Sequence, residues 1–292
     1  MAKILVTGAT GNIGRKTLQQ LLKRLPASDL VGLARDPAKA ADLADAGIDI
    51  RQGDYFDHDG LVRAFKGIDK LMLVSATAFT DRNTQHHNAI SAARQAGVSH
   101  IVYMPIIHQA GSGFALPDIA EQDQFVADQL KASGLAYTLV AHPPFIESIP
   151  FYLGGNALET GVHTPAGSGK AGFASRDDLA EAHAVVLSQD GHAYKSYALY
   201  GDPAVSFADI ARILSDVSGK PVPFVAGTDQ DYIDHLMAAG LPEPAARFAL
   251  GWVEGINAGA WSGKTSDLEQ LIGRKPMTVA EFLRRDHAAR QA

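Results

Sequence analysis

The segment KILVTGATGNIG, which begins at Lys3, constrains this chain more than any other feature. Its apolar start predicts a strand over Lys3–Thr7, followed by a helix over Arg15–Leu25. Between them lie Gly8, Gly11 and Gly14, which allow a tight turn, a close approach of phosphate to the backbone and close packing of helix on strand. The open N–H groups of such a helix start attract a pyrophosphate. The segment predicts a dinucleotide site, with an ordinary strand–turn–helix junction as the alternative.

Short apolar runs alternate with amphipathic stretches through the first half of the chain, the pattern of βαβ units around a parallel sheet. The predicted strands are Lys3–Thr7, Leu30–Ala34, Asp49–Gln52, Lys70–Val74, His100–Tyr103 and Ala136–Ala141. The predicted helices are Arg15–Leu25, Ala38–Ala46, Leu61–Phe65, Gln85–Ala96 and Gln122–Ala132. Four of the helices end where a glycine suits a left-handed C-cap, at Gly47, Gly67, Gly97 and Gly134.

The pattern changes after residue 150. Residues 151–172 are rich in glycine and predict a loop-rich segment, whereas Lys195–Gly201 predicts a strand that rejoins the main sheet. Beyond it the chain is mostly helical, with one helix capped by Ser206 and closed by Gly219. We therefore expect an α/β protein: a Rossmann-type doubly wound parallel sheet in residues 1–150, completed by 195–201, and a smaller, mostly helical C-terminal lobe.

The end of the second strand bears on which dinucleotide would bind. A free ribose 2′-OH is held by an acidic residue about 20 positions past the glycines, whereas a 2′-phosphate needs a cation. The strand LVGLA is followed by Arg35, whose guanidinium can fork onto a phosphate, and Arg15 is a second candidate. This favours NADPH over NADH. In the competing interpretation Asp36 bonds the ribose and Arg35 points to solvent.

Further cofactor contacts are expected in the glycine loop and after the third and fourth strands. Asp54 and Tyr55 in GDYFD either line the adenine edge or form a capped loop, with equal weight. Ser75 and Ala76 in LVSATA are small enough to let a cofactor cross the sheet edge near the switch point. The predicted contacts besides the glycines and Arg35 are Thr10, Asn12, Ile13, Asp54, Tyr55, Ser75 and Ala76.

Composition excludes several classes of function. The 26 basic and 32 acidic residues give a formal net charge of −6, which disfavours a nucleic acid as partner. The absence of cysteine excludes disulfides, zinc thiolates and a thiol nucleophile, and it suits a reducing cytoplasm. No apolar run is long enough to span a membrane. The segment QHHN places His86 and His87 on different helix faces, so no metal site is predicted.

Several segments together resemble the NmrA-like branch of the atypical short-chain dehydrogenases/reductases, and within it the bacterial NADPH-dependent quinone oxidoreductases and triphenylmethane reductases. They are VTGATGNIG, PASDLVGLARDPAKA, IRQGDYFD, AARQAGVSHIVY, SGLAYTLV, SRDDLAEAHAVVL, AGLPEP and KTSDLEQLIGRKP. The resemblance implies an NADPH site on the glycines and Arg35 and a substrate cleft between two lobes. Residues 151–292 are then expected to form a discontinuous substrate-binding lobe.

The chain also departs from the pattern of these relatives. Positions 104–106 read MPI, where relatives tend to carry Thr or Ser, and His142 and Pro143 stand where relatives tend to show an Arg–Asn pair. The stretch Asp118–Leu130 has no lysine of the kind that acts as base in the plant ether and isoflavone reductases, and Tyr103 has no lysine four positions on. A conventional tyrosine-acid mechanism is therefore not supported.

Hydride transfer needs little from the protein beyond placing the nicotinamide against an electrophilic carbon. Histidine changes protonation near neutral pH, so His108 and His142, which follow adjacent strands, are the predicted proton donors or substrate-orienting groups. Each is also open to a structural interpretation as a buried, hydrogen-bonded histidine. The residues predicted to line the substrate pocket, with simple core packing as the alternative for the aromatic ones, are Met104, Ile106, Phe145, Tyr152 and Phe173.

These observations predict an NADPH-dependent reductase that transfers hydride to an aromatic small molecule: a quinone, a dye cation or a benzylic ether. The aromatic residues near the lobe junction favour this reading. The alternative is a non-catalytic NADP(H)-sensing regulator that binds a partner protein, which the missing hydroxyl at 104–106 and the missing lysine would suit. We expect a cytoplasmic monomer or homodimer whose partner is a small aromatic substrate, with neither nucleic acid nor membrane involved.

Overall fold

A parallel sheet organises the larger lobe of the computed structural model, which describes residues 2–77, 79–108, 116–263 and 266–291. The strands in this part of the chain are β1 (Ile4–Val6), β2 (Leu30–Ala34), β3 (Asp49–Gln52), β4 (Lys70–Leu73), β5 (His100–Tyr103), β6 (Ala136–Ala141), β7 (Val162–Pro165), β8 (Ser196–Ala198) and β9 (Phe224–Gly227). Seven of them form one sheet in the order β3-β2-β1-β4-β5-β6-β8. The order reverses between β1 and β4, which is the switch point where such sheets bind ligands.

Helices cover both faces of this sheet and build the second lobe. Their bounds are α1 (Asn12–Leu21), α2 (Ala41–Asp45), α3 (His58–Phe65), α4 (Arg82–Ala96), α5 (Pro117–Ala132), α6 (Ile149–Tyr152), α7 (Ala157–Thr160), α8 (Arg176–Ser188), α9 (Phe207–Ser218), α10 (Asp229–Ala238), α11 (Glu243–Asn257), α12 (Leu268–Ile272) and α13 (Val279–Gln291). None of the helices in the described ranges has the length and apolar character needed to cross a membrane.

The two faces of the sheet have separate cores, because successive strand residues point to opposite sides. Ile4 and Val6 of β1 pack with α1 and α8 on one face. Leu5 packs with α3, α4 and α5 on the other. The strand expected at Lys195–Gly201 is β8, which pairs with β6. Because α8 and α12 also pack in the first of these cores, the larger lobe contains more of residues 151–292 than this strand.

The second lobe surrounds a small parallel pair of strands, β7 and β9. Its core comes from α6, α9, α10, α11 and α13, with Tyr152, Phe207, Tyr232 and Trp261 among its largest buried side chains. The segment 151–172 was expected to be loop-rich, yet it contains α7 and β7. A strand of four residues that ends in Pro165 carries too little periodicity to be recognised from sequence alone.

The predicted fold class is confirmed, and most errors in the predicted helix bounds lie at helix starts, although α1 also ends at Leu21 instead of Leu25. The four predicted C-cap glycines all have positive φ, from 75° to 89°. The predicted helix Ala38–Ala46 is a 3-10 turn, Pro37–Ala40, followed by α2. First turns are polar and lack an apolar period, so the structure begins these helices earlier than predicted: α1 at Asn12 instead of Arg15, α3 at His58 instead of Leu61, α4 at Arg82 instead of Gln85 and α5 at Pro117 instead of Gln122.

Candidate active site

The glycine loop is a backbone cradle between β1 and α1. Gly8 has φ +62°, and a Cβ on Gly14 would lie 2.4 Å from the carbonyl oxygen of Gly8 and 2.6 Å from that of Thr7. Only glycine fits at position 14. Gly11 is the N-cap of α1 and places no side chain on the first-turn amides. These amides begin at Asn12 and can therefore bind an anion.

Three other loop residues were predicted to contact the cofactor. Thr10 and Asn12 are exposed beside the cradle, so both their side chains and their backbone are accessible. The Ile13 side chain is buried in the core beneath α1. Ile13 could therefore contribute only its backbone amide.

Arg35 follows β2 and is exposed, and within the described residues its side chain has no ion pair or hydrogen bond. Asp36, the competing ribose ligand, accepts a hydrogen bond from the Ala38 amide at 3.2 Å and caps the turn that follows. Arg15 is paired with Asp42 and also donates to the carbonyl oxygen of Lys39. Arg35 is thus the more available cation for a 2′-phosphate, and Asp36 and Arg15 already have partners.

A polar cavity of about 670 Å³ lies beside Arg35, beyond the ends of β2 and β3. Two other arginines line it, but both have acidic partners. The Arg51 guanidinium lies 2.9 Å from Asp49, and that of Arg63 lies 3.8 Å from Asp57. An anion entering this cavity would therefore meet Arg35 as the cation without an acidic partner among the described residues.

Asp54 and Tyr55 form the capped loop that was one of the two predictions for them. The Asp54 carboxylate accepts a hydrogen bond from the Phe56 amide at 2.9 Å. The Tyr55 hydroxyl lies 2.5 Å from Thr7 Oγ1 and 2.8 Å from the carbonyl oxygen of Val74. Burial raises the pKa of Tyr55, so the phenol stays neutral and ties this loop to the ends of β1 and β4.

Ser75 and Ala76 lie at the carboxyl end of β4. The Ser75 hydroxyl donates to the carbonyl oxygen of Met104 at 3.0 Å. The Ala76 amide donates to Nε2 of His86 at 3.0 Å, so this nitrogen carries no proton. Burial, helped by the charge of Arg82, lowers the pKa of His86 to about 4. His86 is therefore a neutral structural acceptor that shapes the loop after β4.

A buried carboxylate, Asp123 of α5, lies beneath the end of β5. Its side chain is 2% exposed. One oxygen accepts hydrogen bonds from the Tyr103 hydroxyl at 2.8 Å and from Arg82 at 3.0 Å. The other accepts the Ile106 amide at 2.8 Å and faces Nε2 of His108 at 3.8 Å. We name these five residues, Arg82, Tyr103, Ile106, His108 and Asp123, the Asp123 network.

The Asp123 network holds its charges in the ionised state. Burial raises the pKa of Asp123, but the His108 ring, the Ile106 amide and the Arg82 charge outweigh it, and the pKa lies below the ordinary value. Burial and the neighbouring carboxylate raise the pKa of Tyr103. An anionic carboxylate and a neutral phenol therefore lie under the site at neutral pH.

Sequence reasoning missed Asp123 and Arg82. Asp123 lies on one helical stripe with Val126 and Leu130, both fully buried. A carboxylate at core spacing in a helix was a usable signal, because an ionised side chain is buried only when it is paired. Arg82 lies in the first turn of α4, which the predicted start at Gln85 excluded.

The two predicted histidines have different environments. His108 is 41% exposed and faces Asp123. His142 is buried, its Nδ1 lies 3.2 Å from the carbonyl oxygen of Pro143, and its ring stacks on Phe145 at 4.8 Å. Burial lowers the pKa of His142 to about 4. His142 thus fits the structural interpretation of a buried, hydrogen-bonded histidine, whereas His108 remains accessible to a substrate.

Three of the five predicted pocket residues lie in the core. Met104 packs in the core of the larger lobe, and Tyr152 and Phe173 pack in that of the smaller one. Ile106 and Phe145 are partly exposed at the end of the sheet. The Arg176 guanidinium lies 4.4 Å from the centroid of the Phe145 ring and forms an ion pair with Glu147 at 3.6 Å.

Aromatic side chains from three elements form a row at this end of the sheet, which we name the aromatic row. Phe79, in the loop after β4, is 83% exposed, and its ring centroid lies 5.0 Å from that of Phe248 in α11. Phe248 meets Trp252 at 6.4 Å, and Trp252 stacks on Trp261 at 5.1 Å. The Trp261 indole donates to the carbonyl oxygen of Ile107 at 3.0 Å. The row therefore joins the second lobe to the segment after β5 that contains Ile107 and His108.

Known proteins share both this sequence and this fold. A family model described as NAD(P)H-binding matches residues 8–190. Quinone oxidoreductase 2 of Escherichia coli is 38% identical over 282 residues, 95% of this chain and 96% of that protein. NAD(P)H azoreductase of Xenophilus azovorans is 29% identical over 98% of each chain.

Solved structures agree with these matches. The structure of E. coli NADPH-dependent quinone oxidoreductase complexed with NADPH superposes with a TM-score of 0.91 at 35% identity, over 97% of this chain and 99% of that one. Citrobacter sp. triphenylmethane reductase complexed with NADP(H) gives 0.90 at 33% identity over the same shares. With its glycine cradle at the switch point of a parallel sheet, the chain belongs to the NAD(P)H-binding, NmrA-like atypical short-chain dehydrogenases/reductases and is an NAD(P)H-dependent oxidoreductase.

Proposed function

We propose that this protein is an NADPH-dependent reductase that transfers hydride to a flat aromatic small molecule, with quinones as the first candidate class. The observation that carries the proposal is the aromatic row beside His108, at the end of the sheet where the cofactor cradle lies. Flat rings stack on such side chains at centroid distances of about 4.5–7 Å. The aromatic side chains thus match the shape of the substrate, and the exposed histidine supplies an acid.

Arg35 supports NADPH rather than NADH. A 2′-phosphate that entered the polar cavity would gain charge-assisted hydrogen bonds from a guanidinium that has no acidic partner in the described part of the chain. A free 2′-OH would want a carboxylate, and Asp36, the competing ribose ligand, already caps a turn.

The proposed reaction consumes NADPH, one proton and a quinone, and it yields NADP⁺ and the hydroquinone. Bound NADPH would supply the hydride. His108 would donate the proton to a substrate oxygen, because it is the accessible histidine at the end of β5 and β6. The aromatic row would hold the ring flat and exclude water from the reacting face.

The relatives support this choice of substrate class without deciding among its members. Their names point to a quinone, an azo compound and a triphenylmethane dye as substrates, all of them conjugated ring systems. A benzylic ether is less well supported. The solved structure of isoflavone reductase shares only 16% identity, and Asp118–Leu130 of α5 has no lysine of the kind expected as a base in that group. We place quinones first because the 38% identical relative is a quinone oxidoreductase.

Two measurements on one preparation test the proposal. Calorimetric titration compares NADPH with NADH, and loss of the cofactor absorbance is then followed with a benzoquinone, a naphthoquinone, an azo dye, a triarylmethane dye and a benzylic ether. We expect tighter binding of NADPH and oxidation by quinones. Oxidation by dyes alone would reassign the substrate. Binding without oxidation across the panel would contradict the proposal and favour the NADP(H)-sensing regulator. The cytoplasmic location and the monomeric or homodimeric state stay predictions.

A further inference from the structure

We infer that Asp123 is a positioning residue, which holds the His108 ring in the orientation from which it delivers a proton to the substrate. The inference rests on the proposed function, in which His108 is the proton donor. It assigns a role in the reaction to a carboxylate that a purely structural account would pair with Arg82 alone.

The arrangement of donors around Asp123 points beyond stability. Burying an ionised carboxylate is costly, and the ion pair with Arg82 offsets that cost only when further hydrogen bonds satisfy the remaining lone pairs. What exceeds this requirement is the contact with His108, because the carboxylate divides its two oxygens. One takes Arg82 and Tyr103, whereas the other is directed at the segment after β5, where it accepts the Ile106 amide and faces His108. The same oxygen therefore orients the backbone two residues before the histidine and the histidine ring itself.

The orientation of the ring determines which nitrogen reacts. At 3.8 Å, Nε2 of His108 and the Asp123 oxygen are in electrostatic contact, and the distance is longer than a hydrogen bond. A carboxylate on that side stabilises a proton on Nε2. Nδ1 is then the nitrogen that gives its proton to a quinone oxygen, leaving a neutral ring that keeps its Nε2 proton. Solvent returns the lost proton to Nδ1, because the side chain is partly exposed.

The other titratable groups in and around the Asp123 network are uncharged at neutral pH, so only Asp123, Arg82 and His108 determine its charge. Tyr103 is neutral, because burial raises its pKa. His86, whose ring lies 5.5 Å from that of Tyr103, and His142, at the end of β6, are both neutral near pH 7, because burial lowers the pKa of each to about 4. The Asp123 carboxylate is thus shared between the Arg82 guanidinium, which is always charged, and the His108 imidazole, which donates a proton in the proposed reaction.

A double-mutant cycle on the full-length protein tests the inference. Asp123→Asn, His108→Gln and the double variant are compared for NADPH affinity and for kcat and KM with a benzoquinone. We expect Asp123→Asn to lower kcat about tenfold with little change in KM, because the amide no longer holds the His108 ring in its reactive orientation. NADPH affinity should not change. In the His108→Gln background the Asp123 substitution should have little further effect on kcat.

Tyr103→Phe is the matched control. It removes a hydrogen bond from the opposite oxygen of the same carboxylate, so it should lower the melting temperature and reduce kcat much less than Asp123→Asn does. If Asp123→Asn fails to fold, Asp123→Glu keeps the charge but displaces the oxygens from His108, and the same loss of kcat is expected.

If the losses of kcat in the two single variants multiplied in the double variant, Asp123 would act independently of His108, and the inference would be overturned. A wild-type level of kcat in His108→Gln would remove the proton donor and the inference with it, while quinone reduction would stand. Failure of the wild-type protein to oxidise NADPH with any quinone would instead reject the proposed function.

Discussion

The two halves of the candidate site are built in different ways. The cofactor half is one continuous segment, residues 7–14, in which backbone amides and glycines form the surface. The substrate half consists of side chains from distant positions: Arg82 and Asp123 are 41 residues apart, and Trp261 meets Ile107 across 154 residues. A backbone site tolerates changes of charge but not of shape, whereas a side-chain site depends on which charges and rings pack together.

The largest effect is expected in the cofactor half, from Gly14→Ala. The added Cβ would lie 2.4 Å from the carbonyl oxygen of Gly8, so the loop must distort, and NADPH affinity should fall by roughly a hundredfold, about 2.7 kcal/mol. Calorimetric titration measures the loss, with circular dichroism to check folding. Gly67→Ala is the matched control, because a Cβ there meets nothing within 4 Å despite its φ of +75°. Equal losses of affinity in both variants would show that the cradle is not the site.

Arg35→Glu tests whether one side chain can refine a site made of backbone. A carboxylate would repel a 2′-phosphate, and we expect NADPH affinity to fall roughly thirtyfold while NADH affinity changes little. The control is Arg63→Glu at the same cavity, since Arg63 already lies 3.8 Å from Asp57. Unchanged selectivity for NADPH over NADH in Arg35→Glu would remove Arg35 from the cofactor site.

Acid should destabilise the protein through the histidines buried near the substrate half. Burial lowers the pKa of His183 to about 3, and those of His86 and His142 to about 4. A His pKa below the unfolded value, about 6.5, makes the folded state bind fewer protons, so stability is complete above pH 6.5 and falls as the pH drops towards 4.

Replacement of His183 should reduce this acid sensitivity. Both ring nitrogens of His183 are buried without a partner among the described residues, so His183→Leu should recover about 2 kcal/mol at pH 4.5. Melting temperatures between pH 4.5 and 8 measure the effect. The exposed His87→Gln serves as control and should leave the pH dependence unchanged. If the melting temperature of His183→Leu fell as steeply with decreasing pH as that of the wild type, His183 would not be a source of the acid sensitivity.

The smallest effect is expected at the outer end of the aromatic row. Phe79→Ala removes the ring that faces Phe248, and the KM for a naphthoquinone should rise about threefold to tenfold, since aromatic pairs contribute about 0.5–1.5 kcal/mol. NADPH affinity should not change. Phe56→Ala, another exposed phenylalanine, is the control because it lies in the loop after β3. A KM that stays constant in Phe79→Ala would place the substrate elsewhere in the cleft.

The same contrast explains what could be predicted. The strand bounds of β2, β3, β5 and β6 and the glycine cradle follow from local patterns, namely apolar runs, glycine spacing and helix ends. Arg35 was predicted as a phosphate ligand because it follows β2 directly, and this role stays a prediction. Met104 was assigned to a pocket from its place after the fifth strand, and Tyr152 and Phe173 from their residue type, yet all three lie in the core because their side chains point inwards. Phe79 and Phe248 escaped notice because neither has an aromatic neighbour in sequence that marks it.

The sequence by itself determined the family, the parallel sheet and the dinucleotide cradle, because these depend on residues close together in the chain. Only the tertiary structure decided which polar groups share a buried environment. His108 and His142 look alike in sequence, yet His108 is partly exposed and faces a buried carboxylate, whereas His142 is buried against Phe145. Packing of α5 beneath β5 brings Asp123 to His108, and long-range burial of that kind follows from the whole fold rather than from any local pattern.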